Sequence, residues 1–135
     1  MSILGIDYGD KKIGLAKSAG SLAVPLMILE NKGNDFILKK IKEVCESESV
    51  NVIVVGVPTS LGGGKESNQH KKVLDFIGTL SSLHITIIQE DERLSTKMAK
   101  NISKNIKNRG DDDATSAMLI LQNYLDKNEN LISNT

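Results

Sequence analysis

The chain has 135 residues, room for one domain of ordinary size and too few for two lobes that close over a nucleotide. Hydrophobic residues make up 39% and charged residues 25%, the balance of a globular domain with its own core; aromatics at 3% and no Trp disfavour a platform that stacks several bases. Seventeen basic residues offset seventeen acidic ones, so affinity for a polyanion must come from local segregation of charge.

The single Cys45 excludes an internal disulfide and a Cys-rich zinc site, and its place among helical apolar positions marks it as core. No leader pattern opens the chain and no 18 apolar residues run together, which predicts a cytoplasmic protein without a membrane span.

In chain order, Ser2 to Tyr8 is a short apolar run, Gly9 to Lys12 a turn and Ile13 to Ala16 a second strand, an opening hairpin. Ala23 to Leu29 is a third strand, and Pro25 suits it to a sheet edge. Asn34 or Asp35 can cap a helix whose apolar face is Ile37, Ile41, Val44 and Cys45. Asn51 to Val57 is a nearly unbroken Val and Ile run, the pattern of a strand covered on both sides. From Glu66 a second helix carries Val73, Phe76, Ile77 and Leu80, and Leu83 to Ile88 returns to strand. Ser95 or Thr96 begins a third helix, and Asp111 to Asp113 a fourth. The order predicts an α/β fold, a mixed sheet with antiparallel opening strands, then parallel ones, and helices on both faces. One domain over 1–127 is expected, followed by a polar tail over 128–135.

Three places carry carboxylates that the elements could bring together. Asp7 interrupts an apolar strand between Gly5 and Gly9, where a charge is costly unless paired; hydrogen bonds from the hairpin turn would satisfy it as well as a ligand would. Asp91 and Glu92 follow the strand that ends near Ile88, with Glu90 beside them. Adjacent strand residues point to opposite faces, so at most one of the pair can converge with Asp7; the other reading is an ion pair with Arg93 or a helix-dipole contact. Asp113 lies within about 80° of the centre of the stripe Ala114, Ala117, Met118, Leu121 and Leu125, whereas Asp112 points away, although capping alone would also account for acids here. Three converging carboxylates repel one another, and a divalent cation resolves the repulsion; Mg2+ or Mn2+ fits oxygen ligands where no Cys or His cluster exists for zinc.

In the third helix Lys97, Lys100, Lys104 and Lys107 fall within an arc of about 80°, opposite Met98, Ile102 and Ile106. Such a stripe is either solvated surface or a cradle for a phosphate backbone beside the acids. Gly62 to Lys65 is not a phosphate loop, because Thr59 stands where its first glycine belongs and Glu66 where Ser or Thr would follow the lysine. His70 and His84 have no partner at motif spacing and are expected to be structural.

The segments Gly5-Ile6-Asp7-Tyr8-Gly9 through Gly14-Leu15-Ala16, Val54-Val55-Gly56-Val57-Pro58, Asp91-Glu92-Arg93-Leu94-Ser95-Thr96 and Asp113-Ala114 through Gln122 together resemble the YqgF family. Its members are known as Holliday junction resolvases and also as pre-16S rRNA nucleases. The resemblance covers about Ile3 to Leu125. It implies an RNase H-like fold and metal-dependent phosphodiester hydrolysis, with Asp7, Glu92 and Asp113 catalytic and Asp91 within the metal-binding acid pair. Lys12, Arg93, Lys97, Lys100 and Lys104 are then expected to hold the nucleic acid, an rRNA precursor or branched DNA, on a monomer or weak homodimer. Lys12 stands where the family usually has Arg, and Ala19 where an Asp often follows the Ser. Trimming of pre-16S rRNA is the favoured task, with junction cleavage as the alternative. A nucleic-acid-binding factor that does not cut, and a nucleotide-binding module built on the Asp7 to Gly14 hairpin, are the remaining rivals.

Overall fold

A computed structural model describes residues 2–58, 68–91 and 112–133, with side chains from Thr115 to Asn128 in the last segment. Strands β1 (Ser2–Asp7), β2 (Lys12–Ala19) and β3 (Leu22–Glu30) precede helix α1 (Asn34–Ser47). Strand β4 (Val50–Val57), helix α2 (Asn68–Leu80), strand β5 (Thr86–Asp91) and helix α3 (Asp112–Ser133) follow. The five strands lie in the order β3-β2-β1-β4-β5, antiparallel across the first three and parallel where β4 joins β1 and β5 joins β4. This is the mixed sheet that the element order predicts.

Strand alternation sorts the apolar residues into two cores. Leu4, Ile6, Ile13, Leu15, Ile53, Val55 and Val57 meet Ile37, Ile41, Val44 and Cys45 of α1 and Val73, Phe76 and Leu80 of α2. Ile3, Ala16, Ala23 and Val54 meet Ala117, Ile120, Leu121 and Leu125 of α3 on the other face. Cys45 is 6% exposed, and burial, with the charge of Glu46 adding to it, pushes its thiol up to about 11.

Several boundaries differ from expectation for local reasons. Helix α1 is capped by neither Asn34 nor Asp35: Gly33, at φ 112, takes the N-cap position, and Ile37 N donates to its carbonyl at 3.0 Å. Strand β5 begins at Thr86, after a 3₁₀ turn at Ser81–Leu83, and extends to Asp91 because its parallel register with β4 holds as far as Val57↔Asp91. Glu90 and Asp91 therefore belong to the strand. Helix α3 runs to Ser133, past the expected end near residue 127; neither Gly nor Pro occurs within it to stop it. Strand β3 is a sheet edge, as Pro25 suggested, and its register jumps there, from Leu15↔Met27 to Ala16↔Pro25.

Candidate active site

Asp7 ends β1, half-buried, and alternation puts it with Ile3 and Gly5 on the face that α3 covers. The approach of α3 depends on Gly5. A Cβ there would lie 2.7 Å from Leu121 Cβ and 3.1 Å from the Ala117 carbonyl oxygen, so helix and strand touch backbone to backbone. Asp113 is one helical turn before Ala117, about 6 Å along the axis, and Asp7 is two strand residues beyond Gly5, about 7 Å.

The turn that follows Asp7 is held from both sides. Asn31 donates through Nδ2 to the Gly9 carbonyl at 2.8 Å and through its amide to the Lys11 carbonyl at 2.9 Å. From α2, Gln69 Nε2 donates to the Tyr8 carbonyl at 3.3 Å, Lys72 pairs with Asp10 at 3.0 Å, and the Phe76 ring lies 4.7 Å from that of Tyr8. A Cβ on Gly9 would sit 2.5 Å from the Lys12 carbonyl oxygen, so the turn admits no side chain at that point. Lys12 itself is exposed at the start of β2. Of these clamping residues Phe76 is announced by the period of its helix, whereas Asn31, Gln69 and Lys72 are announced by neither periodicity nor a motif.

The acids of β5 separate by face. Asp91 pairs in parallel register with Val57, whose side chain belongs to the α1 and α2 core, and Ile87 packs on that same core. Asp91 therefore points to the face opposite Asp7. Glu90 follows Ile88 onto the α3 face, where it is 4% exposed and accepts from Asn123 Nδ2 at 2.6 Å and Lys127 Nζ at 2.5 Å. Sequence patterning offers no hint of that cluster, because Asn123 and Lys127 read as ordinary polar positions of a helix. A small cavity of about 220 Å³ opens at this end of the sheet between Val57, Pro58, His70, Gln89, Glu90 and Asp91. His70 Nδ1 lies 2.9 Å from the Pro58 carbonyl, a bond that ties α2 to the end of β4 and accords with a structural role.

Glu92, Arg93, Lys97, Lys100 and Lys104 lie outside the described residues, as do the Gly62 to Lys65 loop and the side chain of Asp113, whose backbone falls in α3. Among the described residues no three His, Cys, Asp or Glu side chains gather as a metal site, and no helix is long and apolar enough to cross a membrane.

A family model described as "RuvX: Holliday junction resolvase" matches residues 1–127. A protein of Fusobacterium nucleatum named "Putative pre-16S rRNA nuclease" is 38% identical over 133 residues, spanning 91% of this chain and 95% of its own. One of the same name from Thermoanaerobacter pseudethanolicus is 35% identical, spanning 96% and 99%. Among solved structures, Thermus thermophilus RuvC in complex with a Holliday junction superposes with a TM-score of 0.66 at 15% identity, covering 96% of each chain. The Fowlpox virus resolvase with Holliday junction DNA gives 0.58 at 15% identity, covering 94% of this chain and 98% of that one. At such identities the superpositions establish the fold, the RNase H-like architecture of RuvC-type resolvases.

Proposed function

The chain belongs to the RuvX family, and from that membership we propose that it is a metal-dependent nuclease that hydrolyses phosphodiester bonds at the 5′ end of pre-16S rRNA. The observation that carries the reading is the position of Asp7. Its carboxylate ends the central β1 strand on the face covered by α3, where the tight seat of Ala117 and Leu121 on Gly5 brings the helix start toward it.

Asp7, Glu92 and Asp113 would hold the cation. The donors fit Mg2+ or Mn2+, since they are hard carboxylate oxygens and the half-buried Asp7 sits at the end of its strand. Asp91 faces the opposite side of the sheet, which favours Glu92 within that pair. A bound cation would lower the pKa of the attacking water and stabilise the leaving oxygen. The residues of the chain do the rest: the clamped Tyr8 to Lys11 turn fixes the Asp7 backbone, and Lys12, Arg93, Lys97, Lys100 and Lys104 hold the flanking phosphates. Residues 1–127 make up the nuclease domain, which acts in the cytoplasm as a monomer or weak homodimer.

The names of the curated relatives favour an rRNA precursor, while the family description and the junction-bound structural relatives favour a four-way DNA junction as the second reading. The deciding experiment offers both substrates to the protein with Mn2+ and includes Asp7→Asn. Cleavage of the precursor that disappears in Asp7→Asn, with the melting temperature unchanged or raised as charge repulsion is relieved, is the expected result. Undiminished cleavage by Asp7→Asn removes the site.

A further inference from the structure

Helix α3 is tied to both edges of the sheet by neighbouring residues. Gln122 reaches β3: its Oε1 accepts from the Ala23 amide at 2.8 Å, and its Nε2 donates to the Ser21 carbonyl at 3.1 Å. Asn123, the next residue, reaches β5 at the far edge, donating to Glu90 at 2.6 Å, and Lys127 joins the same oxygen one turn later. Between these two ties lies the Gly5 seat under Ala117 and Leu121, where strand and helix meet without a strand side chain between them and the surrounding contacts are apolar.

We infer that Gln122 and the buried Glu90, with the Asn123 and Lys127 side chains that engage it, form a two-sided clamp that aims the first turn of α3 at Asp7, with Glu90 as a positioning residue of the metal site. The inference rests on the proposed site of Asp7, Glu92 and Asp113. Glu90 shares the face of Asp7, yet its carboxylate is enclosed at 4% exposure and engaged by an ammonium and an amide, the surroundings of an anchor. From Asn123 to Asp113 the helix rises about 15 Å, so a tilt of roughly 5° at the clamp moves the helix start by about 1.3 Å. That displacement is several times the tolerance of a carboxylate-metal bond. Apolar packing alone would leave this tilt soft, because it is non-directional, whereas hydrogen bonds to opposite edges fix it.

The test is calorimetric titration of Mn2+ into the full chain at 25 °C, comparing the parent with Glu90→Gln, Gln122→Ala, Asp7→Asn and Val73→Ala. Val73 is a buried residue of α2, on the other face of the sheet, so its truncation lowers the melting temperature without touching the clamp. Glu90→Gln and Gln122→Ala are each expected to raise the Mn2+ Kd by about tenfold, as loss of supporting hydrogen bonds does at metal sites, while Val73→Ala keeps the parental Kd. Parental affinity in both clamp variants, or an equal loss in Val73→Ala, overturns the clamp and leaves the site standing. A parent that binds no Mn2+, or binding that survives Asp7→Asn, overturns the site and the clamp with it.

Discussion

Replacing Gly5 with Ala tests the contact on which the arrangement of β1 and α3 depends. The added Cβ would lie 2.7 Å from Leu121 Cβ and 3.1 Å from the Ala117 carbonyl oxygen, against 3.4 Å or more for ordinary contact. The first neighbour is the stem of a fully buried side chain and the second is helix backbone, so neither can swing aside. The helix must lift by several tenths of an ångström or the strand must bend, and overpacking of this kind costs about 2 kcal/mol. For a domain of this size about 4 °C of Tm corresponds to each kcal/mol, so Gly5→Ala should melt roughly 8 °C below the parent. Gly78 supplies the internal contrast, since it lies exposed within α2 with nothing within 4 Å of its missing Cβ. Gly78→Ala removes only the backbone entropy of a helical glycine and should raise stability by about 0.5 to 1 kcal/mol. Thermal melts by circular dichroism measure both. A Gly5→Ala protein that melts with the parent would refute the close seat of α3 on β1.

Other expectations extend to the site and the core. Asp113→Asn should abolish Mn2+-dependent cleavage and Asp112→Asn should reduce it little, because only the former shares the stripe of Ala117 and Leu121; equal effects in a cleavage assay would reduce both acids to helix caps. Replacing Lys97, Lys100 and Lys104 together with Gln should flatten the plot of log affinity against log salt by roughly 0.7 to 0.9 units for each phosphate no longer neutralised, and an unchanged slope would move the nucleic-acid path elsewhere. The Cys45 thiol, raised from 9.0 to about 11 in the fold, stays protonated after the unfolded chain has ionised, so stability should fall as pH rises from 9 to 11, by on the order of 2 kcal/mol in total. Urea denaturation across that range in the parent and in Cys45→Ala reads the effect, which the variant should lack.

The parts of the fold written as periodic signals were legible in the sequence. The Val and Ile run of β4, the four-and-three spacing of α1 and the Pro25 edge of β3 all occur where the pattern puts them, because burial enforces those periods. Strand β5 runs three residues past Ile88, where its apolar pattern stops: Gln89, Glu90 and Asp91 stay in the strand through backbone pairing with β4, which no side-chain pattern reports. The same cause hid Glu90, an acid whose burial depends on Asn123 and Lys127 more than thirty residues later. Asp7 could be singled out since a lone charge in an apolar strand is costly, and the alternation rule that allowed one partner from the Asp91 and Glu92 pair is met by Asp91 facing away. The clamps on the Tyr8 to Lys11 turn leave no mark in the pattern because Asn31, Gln69 and Lys72 act from distant parts of the chain through one or two polar contacts each.

The pairing of the first strand with the last helix also sets the order of events during synthesis. Ile3, Ala16, Ala23 and Val54 are covered by Ala117, Ile120, Leu121 and Leu125, residues made only after more than sixty others have followed Val54. A ribosome adding about 5 to 20 residues per second holds that apolar face of the nascent sheet without these partners for several seconds, an interval in which chaperones compete with aggregation. A chain interrupted before α3 therefore carries an unfinished core, one face of its sheet lacking the helix that covers it.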